Sequence, residues 1–331
     1  MTTRTLARSG ILVVVLIISI VIGMRLGAVP LGVRTIVEAF LGRGTDAERA
    51  IVLELRAPRV LLAALCGAAL ALRGAAYQAL FRNPLAEPYI LGISSGAAVG
   101  AVLAVVLRFT ALGPWSLPAA AFLGALGALA LVLRAALVSQ GLLDRHVMLL
   151  AGVVVGAFCN AGVLLFLSFA DAESFRSAVY WMMGSLGGAT WERVGVMAVV
   201  LGVGGIALLA QARTLDLLAI GEPTAAALGV HVERAKRLGF LTAALLAAAA
   251  VSVAGVIGFV GLVVPHAIRL MRGSMHRELL PSAALLGAAF LVLADVLART
   301  VAAPVDLPIG VVTALIGVPL FVMLLRRGRT T

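Results

Sequence analysis

Apolar residues run in long blocks along this chain, and most charged residues fall in the gaps between them. A helix needs about 20 apolar residues to cross the hydrocarbon core of a bilayer. Its backbone groups are then satisfied internally, as lipid demands. Blocks at about 10–29, 59–80, 90–107, 117–139, 147–169, 194–212, 238–257, 260–272, 280–301 and 308–326 each predict a spanning helix. The eighth is short. The seventh and eighth form one apolar stretch interrupted by Gly255, Gly258, Gly261 and Pro265, which predicts a tight reversal. The expected fold is all-α: a polytopic membrane helical bundle of about ten transmembrane helices, forming a single domain over residues 1–331. The first block follows Arg4 and Arg8 like a signal peptide, but it has no clear cleavage site and reads as a retained span.

The gaps set the orientation. Positive charge at short loops marks the cytoplasmic side. With the N-terminus inside, the inner loops carry Arg82, Arg145, Arg213, Arg234, Lys236, Arg237, Arg269, Arg272 and Arg277. The outer loops carry Arg34, Arg43, Arg49, Arg56, Arg59, Arg108, Arg176 and Arg299, partly balanced by acids such as Glu54, Asp171 and Asp306. Both termini are therefore expected in the cytoplasm. Two outer segments, 30–58 and 170–193, are long enough to be structured. The inner segment 213–237 is too long for a simple turn and predicts one or two short interfacial helices.

Composition agrees with this reading. The chain has 331 residues, 62% hydrophobic and 12% charged, which leaves too little polar surface for a water-soluble body. Its net charge of +11 sits at the ends of apolar blocks, so it reports topology and not nucleic-acid binding. Cys66 and Cys159 lie within apolar blocks and read as small buried hydrophobes.

Little in the chain supports chemistry of its own. Lys236 is the only lysine and has no P-loop around it, so any ATP hydrolysis must come from a partner. Residues 92–96 formally match the G-x-S-x-G elbow around Ser94, but that motif needs a strand and a soluble sheet, so close helix packing is the simpler reading. The histidines His146, His231, His266 and His276 show no ligand spacing, and no metal site is expected. His266, after Pro265, suits a structural or gating role. Intramembrane charges are functional candidates by default, which singles out Arg73 and Asp295 as pathway or pairing residues. One clear buried acid is too few for a proton relay, which weakens a secondary transporter.

Six ordered motifs resemble one family. Residues 55–59 read LRAPR, and residues 74–100 read GAAYQALFRNPLAEPYILGISSGAAVG. Residues 180–185 read YWMMGS, and Gly221, Glu222, Ala225, Leu228 and Gly229 fall in the inner segment. Residues 258–266 read GFVGLVVPH and 307–313 read LPIGVVT. Together they resemble the FecCD/BtuC-type permeases of binding-protein-dependent ABC importers for vitamin B12, haem and ferric siderophores.

The resemblance implies a homodimer with two cytoplasmic ATPase subunits beneath it and a substrate-binding protein outside, in a bacterial cytoplasmic membrane. ATP and Mg would be used by the ATPase and no cofactor held by this chain. Arg56, Arg59 and Arg299 match positions that face the binding protein. Gly221, Glu222, Ala225, Leu228 and Gly229, within 217–232, match the segment that couples to the ATPase. Asn83, Pro84 and Leu85, with Leu142 and Leu143, match the cytoplasmic gate. The cargo is expected to be an iron chelate, siderophore or haem, with cobalamin as the alternative.

Overall fold

The computed structural model describes residues 3–27, 29–85, 92–138 and 143–327. Among these residues the elements are helices, with no strand. In chain order they are α1 (Thr3–Arg25), α2 (Val33–Phe40), α3 (Asp46–Ala50), α4 (Ala57–Leu80), α5 (Ile93–Val106), α6 (Ser116–Val138), α7 (Arg145–Ser168) and α8 (Ala172–Met182). They continue as α9 (Trp191–Ala210), α10 (Ala212–Ile220), α11 (Glu222–Ala227), α12 (Val232–Ala254), α13 (Val260–Arg272), α14 (His276–Thr300) and α15 (Ile309–Arg327). Each apolar block of the sequence corresponds to one of these helices. By length and composition, the helices containing α4, α6, α7, α9, α12 and α14 can cross a membrane, while the apolar parts of α1, α5 and α15 are shorter.

The bundle is built around α4. In its most apolar stretch 83% of residues are buried, against 28% in α7 and in α9. Helices α14, α12, α13 and α9 surround it. Lipid is as apolar as leucine, so helices associate in it by close packing at small residues. Gly67 of α4 meets the Gly287 backbone of α14, and Gly74 meets the Gly261 carbonyl at the start of α13. On its N-terminal side the rod extends through a π-helical turn, Ile51–Arg56, to α3. Pro58 sits in the first turn of α4 and lacks the N–H that would close on the Glu54 carbonyl, so the helix widens just before it.

The expected reversal is present but shorter than the sequence suggested. α12 stops at Ala254, Gly255 turns at φ +71°, and Phe259 adopts a left-handed φ of 66° to start α13. Gly261 and Pro265, expected in the break, lie inside α13 instead. Proline frees the carbonyl four residues before it. Here that is Gly261, and Gln78 of α4 donates to it at 3.4 Å and to Leu262 O at 3.3 Å. The non-helical backbone near the break is satisfied across the chain: Ser185 N donates to Ala254 O (2.9 Å), and Gly310 N to Met183 O (3.0 Å). Irregular backbone at membrane depth persists only where protein satisfies it or a cavity adjoins it.

Both segments expected on the outer side are structured. In 30–58, Thr45 and Glu48 form a reciprocal capping box that starts α3. In 170–193, Asp171 caps α8 by accepting from Ser174 N at 2.7 Å, and pairs with Arg108 at 2.6 Å. The Ser174 amide first, and then Arg108, hold the Asp171 carboxyl down at about 2.

Candidate functional site

Polar side chains gather at the two ends of the bundle, joined by the long helices α4 and α14 and named outer and inner after the orientation that the loop charges lead one to expect. At the outer end Asp295 of α14 is 1% exposed and pairs with Arg59 at 2.9 Å and Arg299 at 3.2 Å. Arg59 also reaches Asp306 at 2.7 Å. Arg299 donates to Gly23 O at 2.6 Å. Arg56 donates to Met24 O (2.8 Å), Arg25 O (2.9 Å) and Val29 O. A helix ends with carbonyls that lack partners. Here Arg56 and Arg299 cover those of α1 and fasten it to α4 and α14. Both are 6% exposed, so their guanidinium groups are spent largely within the chain. Arg59, with a side chain 16% exposed beside the half-exposed Asp306, is the one of the three nearest the rim.

Asp295 is thus placed among paired charges. Arg73 is buried in mid-α4 near Tyr77. Neither is among the residues lining the groove described below.

At the inner end, segment 213–237 holds two short helices, α10 and α11, followed by the start of α12. Gly229 (φ +83°) closes α11: Gly229 N donates to Ala226 O and Val230 N to Ala225 O, at 2.9 and 3.0 Å. That is the Schellman arrangement, and it requires a residue tolerant of left-handed backbone. Gly221 and Ala225 are buried and seat the pair. Ile220 and Leu228 are each 63% exposed, two apolar knobs at the end of the molecule.

The two inner loops are tied to this segment. After α4, Arg82 donates to Ile220 O at 3.0 Å, and Asn83 Oδ1 accepts from Leu85 N at 2.9 Å, a side-chain turn that Pro84 stiffens. Before α7, Asp144 caps the helix through His146 N (2.8 Å) and Val147 N (3.0 Å), and the Val147 amide above all holds its carboxyl below the usual range. Leu143 is buried, and Leu142 lies outside the described residues. Lys236 reaches Leu143 O (2.6 Å), Glu222 (2.9 Å) and Glu233 (2.7 Å). Asp216 of α10 accepts from His276 N at 2.8 Å and lies 2.6 Å from its Nδ1, capping α14 from another element.

A groove of about 750 Å³ opens between α8, the break and α15, lined by Met183, Val256, Phe259, Val311, Leu315 and their neighbours. Its wall is apolar. His266 packs its ring edge-on to Phe321, with centroids 6.4 Å apart. Ser94 is buried at the start of α5, where Gly96 and Gly124 let α5 and α6 approach closely. Cys66 and Cys159 are free and buried. Among the described residues no cluster could hold a metal ion.

The model of the FecCD transport family matches residues 15–327, nearly the whole chain. The chain belongs to the FecCD transport family. It is 43% identical over 323 residues to the hemin transport system permease HmuU of Yersinia pestis, covering 97% of this chain and 95% of that one. It is 47% identical over 281 residues to the cobalamin import permease BtuC of Halobacterium salinarum, covering 85% and 74%. A solved metal-chelate type ABC transporter in an inward-facing conformation superposes with a TM-score of 0.85 at 32% identity, over 97% of this chain and 99% of that one. This FecCD chain is therefore an ABC importer permease and a multi-pass membrane protein. The family is one of transporters, so the formal G-x-S-x-G match around Ser94 carries no enzyme assignment.

Sequence reasoning passed over Asp216 and Glu233, took Arg82 and Asp306 only as loop charges, and took Lys236 only as a loop charge and as the absence of a P-loop. One signal was available: a lone lysine in an arginine-rich chain, three residues after Glu233, is helical i,i+3 spacing.

Proposed function

We propose that this chain is the membrane-spanning subunit of a homodimeric, ATP-driven importer in the bacterial cytoplasmic membrane. It has ten crossings and both termini in the cytoplasm. Two ATPase subunits dock beneath it and supply ATP hydrolysis with Mg; a binding protein delivers cargo outside. The lipid bilayer is its solvent, and nucleic acid has no part. The observation that carries the reading is the inner end: in a FecCD chain, α10 and α11 leave Ile220 and Leu228 exposed and are fastened behind to both inner loops, directly by Arg82 and through Lys236 to Leu143. Glu222, Ala225 and Gly229 hold that shape. Asn83, Pro84 and Leu85, with Leu142 and Leu143, form the inner gate. The groove along α15 is the pathway wall, facing its counterpart in the second copy. An apolar wall offers few strong contacts, so a bulky chelate passes without being trapped.

Docking of the binding protein centres on Arg59, whose planar fork suits a carboxylate. Arg56 and Arg299 shape the rim by fixing the end of α1.

The cargo is an iron chelate, haem or a ferric siderophore; the haem relative, matching both chains almost end to end, supports this. Cobalamin is the second reading, favoured by the higher identity of the cobalamin relative. The deciding experiment reconstitutes the permease with its ATPase and binding protein and measures uptake of haem, a ferric siderophore and cobalamin. ATP-dependent uptake of cobalamin alone would overturn the iron reading. In the same assay Arg59→Gln should lower uptake about tenfold at limiting binding protein, roughly 1.4 kcal/mol of lost affinity. Unchanged uptake would remove Arg59 from docking.

A further inference from the structure

Lys236 has the most completely used side chain at the inner end. Its ammonium group has three N–H donors and no acceptor. Three oxygens receive them: Leu143 O at 2.6 Å, Glu233 Oε1 at 2.7 Å and Glu222 Oε2 at 2.9 Å. The side chain is 5% exposed, so the group has left water and has nothing further to offer a partner.

The three acceptors belong to different parts of the machine. Glu222 opens α11, the helix proposed to face the ATPase. Glu233 lies in the first turn of α12. Leu143 belongs to the inner loop before α7, 93 residues away in sequence from Lys236. Glu233 also accepts from Leu143 N at 3.0 Å. Both main-chain groups of Leu143 are therefore gripped by one turn of α12, and that same turn holds α11 by its first residue.

We propose that Lys236, with Glu233, is the positioning pair that couples movement of α11 to the inner gate at Leu143. The proposal rests on the importer reading above. A buried ion is costly to strip of its partners. When α11 shifts, Lys236 follows the Glu222 carboxylate or loses one of its three bonds, and the Leu143 carbonyl moves with it. Arg82 makes a parallel tie from Ile220 to the other gate loop, but it is an exposed bond to a neutral carbonyl and resists less. The stronger of the two links runs through the lysine. Glu222 is consequently satisfied from within the chain, and the ATPase meets the apolar knobs Ile220 and Leu228 instead.

A purely structural ion pair and a coupling pair differ in what their loss does. Losing the first lowers assembly, so hydrolysis and uptake fall together. Losing the second uncouples them. The test uses the full complex in proteoliposomes, with binding-protein-stimulated ATP hydrolysis and substrate uptake measured on the same sample. For Lys236→Met, hydrolysis is expected within about twofold of wild type and uptake per ATP about tenfold lower, within the usual range of coupling between sites. Lys236→Arg, which can still bridge carboxylate and carbonyl, should recover most of the loss. If Lys236→Met does not assemble, Glu233→Gln keeps the shape and should show the same split at smaller size. A parallel fall in hydrolysis and uptake, or no change in either, would overturn the proposal. Failure of the importer reading would look different: the wild-type complex itself would show no ATP-dependent uptake.

Discussion

Replacing Asp295 with alanine is expected to destabilise the permease by about 3–5 kcal/mol, the cost of removing one member of a buried ion pair. The carboxylate is 1% exposed and balances two arginines, at 2.9 and 3.2 Å. Arg59 would retain Asp306, but Arg299 would keep only the Gly23 carbonyl among its partners described here. An uncompensated buried guanidinium is then left where α1, α4 and α14 meet. Asp295→Asn keeps the shape and an acceptor and should cost less. Replacing both partners, as in Asp295→Leu with Arg299→Met, should recover much of the loss, because well-packed apolar residues often match a buried pair. Unfolding in detergent, followed by thermal denaturation, reads all three. A single variant as stable as wild type would show that the network carries no stability.

Gly74→Leu is expected to prevent assembly of the bundle, and Gly74→Ala to cost about 1–3 kcal/mol or more, as overpacked cores do. A Cβ on Gly74 would be driven into the Gly261 carbonyl, and one on Gly67 into that of Gly287. Backbone meets backbone at both sites, so no side chain can swing away. α4 would have to leave α13 or α14. At Gly127 and Gly195 nothing lies within 4 Å of an added Cβ. Alanine there should be neutral, or stabilising by up to about 1 kcal/mol, since it removes glycine's entropy cost in a helix. Size-exclusion profiles and melting midpoints of the four alanine variants provide the check. Equal behaviour at all four positions would contradict the packing assigned to α4.

The helices were legible because the period that matters in lipid is coarse: an apolar block of sufficient length has few other solutions. The short helices of segment 213–237 were legible too, as polar residues and Pro223 interrupt the apolar pattern there. The break after α12 was placed correctly but drawn too long, because Gly261 and Pro265 look like turn residues until Gln78 is seen supplying what proline removes. The arginines at this end were seen, yet their main-chain partners were not. Arg56 reaches carbonyls up to 32 residues away and Arg299 one that is 276 away, and a backbone oxygen leaves no mark in a sequence. Lys236 was hidden for the same reason, since a main-chain carbonyl is one of its partners.

The function proposed above is that of an importer whose energy comes from a separate ATPase acting through α10 and α11. Its most direct test is uptake by the purified permease in proteoliposomes with its binding protein, with and without the ATPase subunits and ATP inside the vesicle face they occupy. The account predicts chelate accumulation that requires the ATPase and ATP together and is unaffected by collapsing ion gradients. Uptake that persists without the ATPase and vanishes with the proton gradient would contradict it.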